Sequence, residues 1–131
     1  MRKPTPHVEL YAWHTAAMRG LSPAIHQTPQ CGWFKRKLVK GGVFVPCRIW
    51  MFQDIDRTTG ELLSDEILQC EVNGSYADPE DAWSWICANP ISEQEFNYLT
   101  ARIVHALRHE PDDPFAQAKT AIDMNKTPLH W

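Results

Sequence analysis

The sequence predicts an α+β fold: a three-stranded antiparallel β-meander with about three helices packed on it. Three observations carry that expectation. Residues 31–52, CGWFKRKLVKGGVFVPCRIWMF, alternate apolar and polar side chains on either side of a Gly-Gly pair, the pattern of a hairpin. A second turn signal, Asp56 to Glu61, is followed by a third alternating run. Residues 78–110 then carry two helices with clear start signals. At 131 residues the chain suits a single domain spanning 1–131, long enough to bury a core without cross-links.

Its parts follow in order. Residues 1–30 hold an N-terminal helix and a loop. Leu10, Trp13, His14, Ala17 and Met18 recur at helical spacing within 8–19, and Gly20 with Pro23 supplies a stop. The meander occupies 31–73. With Gly41-Gly42 as a two-residue turn, Lys35 is expected to face Arg48, and Trp33 to face Trp50. One face then gathers Phe34, Leu38, Val45, Cys47, Ile49 and Met51 as core, with Arg36 its one charge. The other gathers Trp33, Lys35, Lys37, Val39, Phe44, Arg48, Trp50 and Phe52. A third strand is expected over 62–73, with Thr59-Gly60 as the loop. Cys70 then lies against Ile49, and Glu71 against Arg48.

The helices at 78–110 are signed by their caps. Asp78-Pro79-Glu80-Asp81 sets a capping residue, a proline at the first helical position and acids at the positive end of the dipole. Trp83, Ile86 and Cys87 form its apolar side before Asn89-Pro90. Ser92 and Glu95 then make a capping box, with Ile91 and Phe96 placed as a hydrophobic staple. Phe96, Leu99, Ile103 and Leu107 extend one stripe to about His109. Residues 111–131 read as an extended or partly helical tail.

Charge is divided unevenly. Residues 1–50 hold eight of the thirteen Lys and Arg but one of the sixteen Asp and Glu, a balance of +7; residues 51–131 carry −10. That polarity suits one face that seeks anions and another that repels them; the alternative is that the two halves neutralise each other across the fold. No run approaches the length of a membrane helix, and no apolar stretch follows the N-terminal Arg2-Lys3 as a secretory signal requires. A cytoplasmic location is therefore expected, with Cys31, Cys47, Cys70 and Cys87 as free thiols in no CxxC pair.

The candidate binding surface is the cationic, aromatic side of the hairpin: Trp33, Lys35, Lys37, Arg48 and Trp50. Cations beside flat rings suit either a nucleic-acid backbone with stacking bases or an acidic protein surface. The competing reading buries Phe44, Trp50 and Phe52 under the N-terminal helix while Glu71 neutralises Arg48. The acids near helix starts, Asp78, Glu80, Asp81, Glu93 and Glu95, are the complementary candidates for a basic partner.

Chemistry beyond binding is thinly signed. His105 and His109 stand one helical turn apart, a spacing that can share zinc, but no third ligand accompanies them and H-E-x-x-H is absent. Asp54-x-Asp56 with Gly60 and Asp65 departs from a calcium loop at the glycine and at the closing acid. Neither a metal nor a cofactor is expected. There is no G-x-S-x-G motif and no phosphate-binding glycine loop, so a non-enzymatic role is expected. Cys31 beside the basic cluster is the one thiol whose pKa could be lowered.

The blocks CGWFKRKLVKGGVFVPCRIW, TGELLSDEILQCEVNG, DPEDAW and NPISEQEF, within residues 31–96, resemble a family of small accessory proteins encoded by tailed bacteriophages and prophages of proteobacteria. The resemblance brings no assigned activity to any position. It implies expression in a bacterial cytoplasm and action by stoichiometric binding. The expected partner is a host or phage complex that handles nucleic acid, as for an anti-CRISPR-like inhibitor of host defence, with neither membrane nor small-molecule substrate. The alternative is a nucleic-acid-binding helper of phage replication or recombination that uses the basic aromatic hairpin.

Overall fold

A computed structural model describes residues 2–21 and 28–120, so part of the first loop and the tail beyond Thr120 lie outside the described residues. The fold is α+β. Four antiparallel strands run in the order β1-β2-β3-β4, namely β1 Gly32–Lys37, β2 Phe44–Phe52, β3 Ile67–Val72 and β4 Ser75–Ala77. Four helices accompany them: α1 His7–Leu10, α2 Ala12–Met18, α3 Pro79–Ile86 and α4 Glu93–His109.

The sheet therefore has one strand more than expected. β4 is joined to β3 by Asn73-Gly74, whose φ values of 54° and 80° are those of a tight type I′ turn. The third strand is correspondingly shorter than 62–73. Leu62 belongs instead to an isolated bridge with Ile55 across the Asp56–Gly60 turn, and Leu62 N–H bonds the Arg2 carbonyl.

The hairpin register is corrected by two residues. Trp33 pairs with Arg48, and Lys35 pairs with Pro46; neither Trp33–Trp50 nor Lys35–Arg48 is formed. The cause lies in the turn. Gly42 N–H bonds the Val39 carbonyl at 3.1 Å, and of the two central residues, Lys40 and Gly41, only Gly41 takes a positive φ, of 80°. That is a type II turn centred on Lys40-Gly41, one residue earlier than a Gly-Gly turn. Because the shift is even, every side chain keeps its expected face. The register also removes the like-charge opposition of Lys35 and Arg48. It gives Pro46 a tolerated place as well: its carbonyl accepts from Asn73 N–H beyond the end of β3, so its missing N–H falls outside the β2–β3 ladder. The β2–β3 register is as expected, with Cys70 on Ile49 and Glu71 on Arg48.

Phe34, Cys47, Ile49 and Cys70 on the core face are buried with Trp13 of α2 and with Ala82, Trp83 and Ile86 of α3. Trp83 meets Trp13 and Phe34 edge-on at 5.3 and 5.5 Å between centroids. A second cluster, Val45, Ile103 and Ala118 with Leu38, Val43, Val72 and Phe115, closes the turn end of the sheet. Part of the expected tail is thus structured: Pro114–Gln117 form a 3-10 turn, and Ala118 is buried.

The N-terminal helix is broken rather than continuous, with Tyr11 leaving helical dihedrals between α1 and α2. The break sends Tyr11 onto Trp33, 5.1 Å between centroids, while Trp13 reaches Phe34 on the opposite face. α2 thereby straddles the edge strand β1. His14 Nε2 lies 2.7 Å from the Ile91 carbonyl and 3.2 Å from that of Trp33. Both partners are acceptors, so Nε2 carries a proton. The same edge is closed by the α3–α4 connection, through Lys35 N–H to the Asn89 carbonyl and Ile91 N–H to that of Trp33. An otherwise open strand edge is paired.

Both N-cap residues act as expected, but the capping box is half-formed, because the Glu95 carboxylate goes to Lys35. Asp78 accepts from Glu80 N–H at 2.8 Å, and Ser92 Oγ accepts from Glu95 N–H at 3.0 Å. The stripe of α4 is rotated from its expected line: Leu99, Ile103 and Ala106 are buried, whereas Leu107 is 61% exposed.

Candidate partner-binding face

Strand pairing assembles the candidate face in rows. One row crosses all four strands as Trp33, Arg48, Glu71 and Tyr76, the next holds Trp50 and Gln69, and the last holds Phe52 and Ile67. In the other direction lie Lys35 with Pro46, then Lys37 with Phe44. Side chains paired in register share a face, so β4 adds an aromatic that the sequence reading had missed. The Asn73-Gly74 dipeptide was the signal that could have found Tyr76.

Two of the three cations on this face, Lys35 and Arg48, are paired with carboxylates. Arg48 donates from Nε and Nη2 to Glu71 Oε1, at 3.0 and 2.6 Å, and its guanidinium lies 4.3 Å from the centre of the Trp50 ring. Lys35 Nζ is 3.1 Å from Glu95 Oε2 and 4.7 Å from the Phe44 ring centre. Lys37 approaches the same ring at 5.0 Å. On the core side, Arg36 lies over Trp85 at 5.2 Å. Cations of the N-terminal half thus meet carboxylates of the C-terminal half, Arg2 with Asp65 included. The +7/−10 division of the sequence is in part neutralised across the fold.

Coverage is uneven. Glu95 of α4 holds the Lys35 end, while Phe96, Thr100 and Ile103 border a cleft with Pro46 and Glu71. Tyr11 covers Trp33 and is itself stacked on His7 at 4.1 Å. Phe44, Trp50 and Phe52 do not pack as a group under the N-terminal helix: Phe44 lies beneath the two lysines, and Phe52 is 49% exposed. The open part of the face holds Phe52, Ile67 at 51% exposure and Tyr76 at 70%, beside half-buried Trp50 and Arg48.

The acidic candidates fall into two separated groups. Asp78, Glu80 and Asp81 begin α3 directly after β4, whereas Glu93 and Glu95 stand in the first turn of α4, where Glu95 binds Lys35 on β1, at the opposite edge. Two of these acids also have structural tasks, Asp78 as a cap and Glu95 as an ion-pair partner.

The thiol expectation is corrected. Burial pushes Cys31 up to about 11, with no neighbouring cation among the described residues acting to lower it, and likewise Cys70 to about 11 and Cys47 to about 12. His105 and His109 lie side by side on the exposed side of α4, ring centroids 5.0 Å apart, with Glu110 3.8 Å from His105 Nε2. Among the described residues no group of three His, Cys, Asp or Glu side chains is placed to hold a metal ion. Nor, among those residues, is any helix long and apolar enough to cross a membrane.

Compared with family models, curated proteins and solved structures, this chain matches none.

Proposed function

We propose that this protein is a non-enzymatic bacteriophage accessory protein that acts by occupancy. In this reading it binds stoichiometrically to a cytoplasmic complex of the bacterial host that handles nucleic acid, as an anti-CRISPR-like inhibitor of host defence. The contact is made by protein surface, through Trp50, Phe52, Ile67 and Tyr76 with the Arg48–Glu71 pair between them. The observation that carries the choice of a protein partner is the pairing of the hairpin cations. A phosphate backbone is held by free Lys and Arg, whereas Lys35 and Arg48 already bind carboxylates. What remains is a nearly neutral surface of large aromatic and aliphatic side chains, the composition that favours anchoring to protein.

The test is a titration of the purified protein into a reconstituted RNA-guided interference complex, reading target cleavage. Inhibition that is complete at a fixed molar ratio and weakened by Phe52→Asp, with the variant still folded, supports occupancy through this face. Full inhibition far below one equivalent points to an enzyme and overturns the reading. Inhibition that vanishes on adding competitor DNA, with Phe52→Asp behaving as the parent, transfers the function to direct nucleic-acid binding.

A further inference from the structure

Beside the open face, α4 and the β3–β4 turn enclose a cleft of about 210 Å³. Pro46, Phe96, Ile103 and Leu107 make its apolar walls, and Asn73 and Glu71 its polar rim. Glu71 is the one charged residue lining it, and its carboxylate is only half used: both Arg48 bonds end on Oε1, and among the described residues no donor reaches Oε2. The volume lies below the roughly 300 Å³ at which pockets for whole small molecules begin, so it suits one side chain.

We infer that this cleft is an anchor pocket for a single arginine or lysine side chain of the partner. Apolar walls with a carboxylate on the rim complement a side chain with a methylene stem and a cationic head. The inference rests on the proposed function for one point, that the partner is a nucleic-acid-handling complex, whose channels present such residues. Leu107 also acquires a role: excluded from the core by the turn of α4, it lines the cleft, where a stem would cover it.

The test needs no partner. The full chain, labelled with ¹⁵N, is titrated with N-acetyl-L-arginine N-methylamide and separately with the uncharged N-acetyl-L-norleucine N-methylamide. Saturable shifts at Asn73, Gly74, Thr100 and Ile103 are expected, with the arginine probe about tenfold tighter than norleucine. Glu71→Gln should remove that preference. Thr100→Phe, at an exposed position lining the cleft, should block both probes and decides the matter if the first variant does not fold. Equal binding of the two probes, shifts away from these residues, or binding unaltered by Thr100→Phe would overturn the inference. Such a failure is separable from failure of the proposed function, since the cleavage titration and Phe52→Asp do not depend on the cleft.

Discussion

Arg48 and Glu71 face each other across β2 and β3, and the same guanidinium that donates twice to Oε1 of Glu71 also lies over the Trp50 ring. The pair holds the cation on the sheet face beside half-buried Trp50, in the row that ends at the exposed Tyr76. Both side chains keep partial solvent access, 42% for Arg48 and 26% for Glu71, so their coupling is of the surface kind. A double-mutant cycle of Arg48→Ala and Glu71→Ala in urea should give a coupling of about 0.5–1 kcal/mol that shrinks with added salt. A salt-insensitive coupling of several kcal/mol would contradict this account.

The alternation around the first turn was enough to sort its side chains onto two faces, because an even register error leaves faces intact. It was not enough to fix the pairs, since Gly41 and Gly42 are equally able to take a positive φ and tertiary contacts choose between them. A Cβ on Gly42 would lie 3.0 Å from the Val39 side chain and 3.3 Å from the Ala118 carbonyl. Cap residues were legible because they act within one turn of their own helix. The pairing of Lys35 with Glu95, sixty residues on, and the straddling of β1 by Tyr11 and Trp13 depend on chain paths that no local pattern encodes.

Gly32 is fixed by His14. A Cβ there would meet the imidazole Cδ2 at 2.7 Å, while Nε2 is held by the Trp33 and Ile91 carbonyls. Gly32→Ala should cost about 1–3 kcal/mol by forcing the ring off these acceptors. Because both residues share one site, adding His14→Ala should cost less than the sum of the single changes. Thermal or chemical denaturation of the four proteins checks it, and strict additivity would count against the contact.

Cys31, Cys47 and Cys70 are buried and carry raised pKa values, so in the folded protein they are both inaccessible and protonated at neutral pH. Cys87 alone is partly exposed. Iodoacetamide at pH 8 should label Cys87 first, with the other three reacting only as the protein opens, read by mass spectrometry of peptides. Early labelling of Cys31 would show that the basic cluster activates it after all.

Glu66 ties the N-terminal segment to the sheet. It accepts from Gln53 Nε2 at 2.6 Å, and from Thr5 Oγ1 and N–H at 2.7 and 3.1 Å. The Gln53 bond first, then those from Thr5, hold its carboxyl below the ordinary 4.5. A carboxylate with a depressed folded pKa stabilises the fold above its unfolded value, and that contribution disappears as pH falls through the folded one. Glu66→Gln should therefore flatten the acid limb of the stability curve just below pH 4.5 while leaving its slope near neutrality unchanged. Carboxyl NMR placing Glu66 at or above 4.5 would refute it.

The ion pairs also set how the protein should meet DNA. With Lys35 held by Glu95 and Arg48 by Glu71, the exposed hairpin cations are Lys37 and Lys40. Each phosphate contact contributes about −0.9 to the slope of log K against log salt, so residual binding to duplex DNA should show a slope no steeper than about −2. Glu95→Gln removes the partner of Lys35 without altering the strand that carries it, and Ser92 still caps α4. That change should steepen the slope by about one and strengthen binding at low salt, whereas Lys37→Ala should make it shallower by about one. Fluorescence anisotropy over a salt series measures all three proteins. A parent slope near −5, as if every cation of the hairpin met a phosphate, would mean that the carboxylates give way to DNA, and the protein partner proposed for this face would then yield to a nucleic acid.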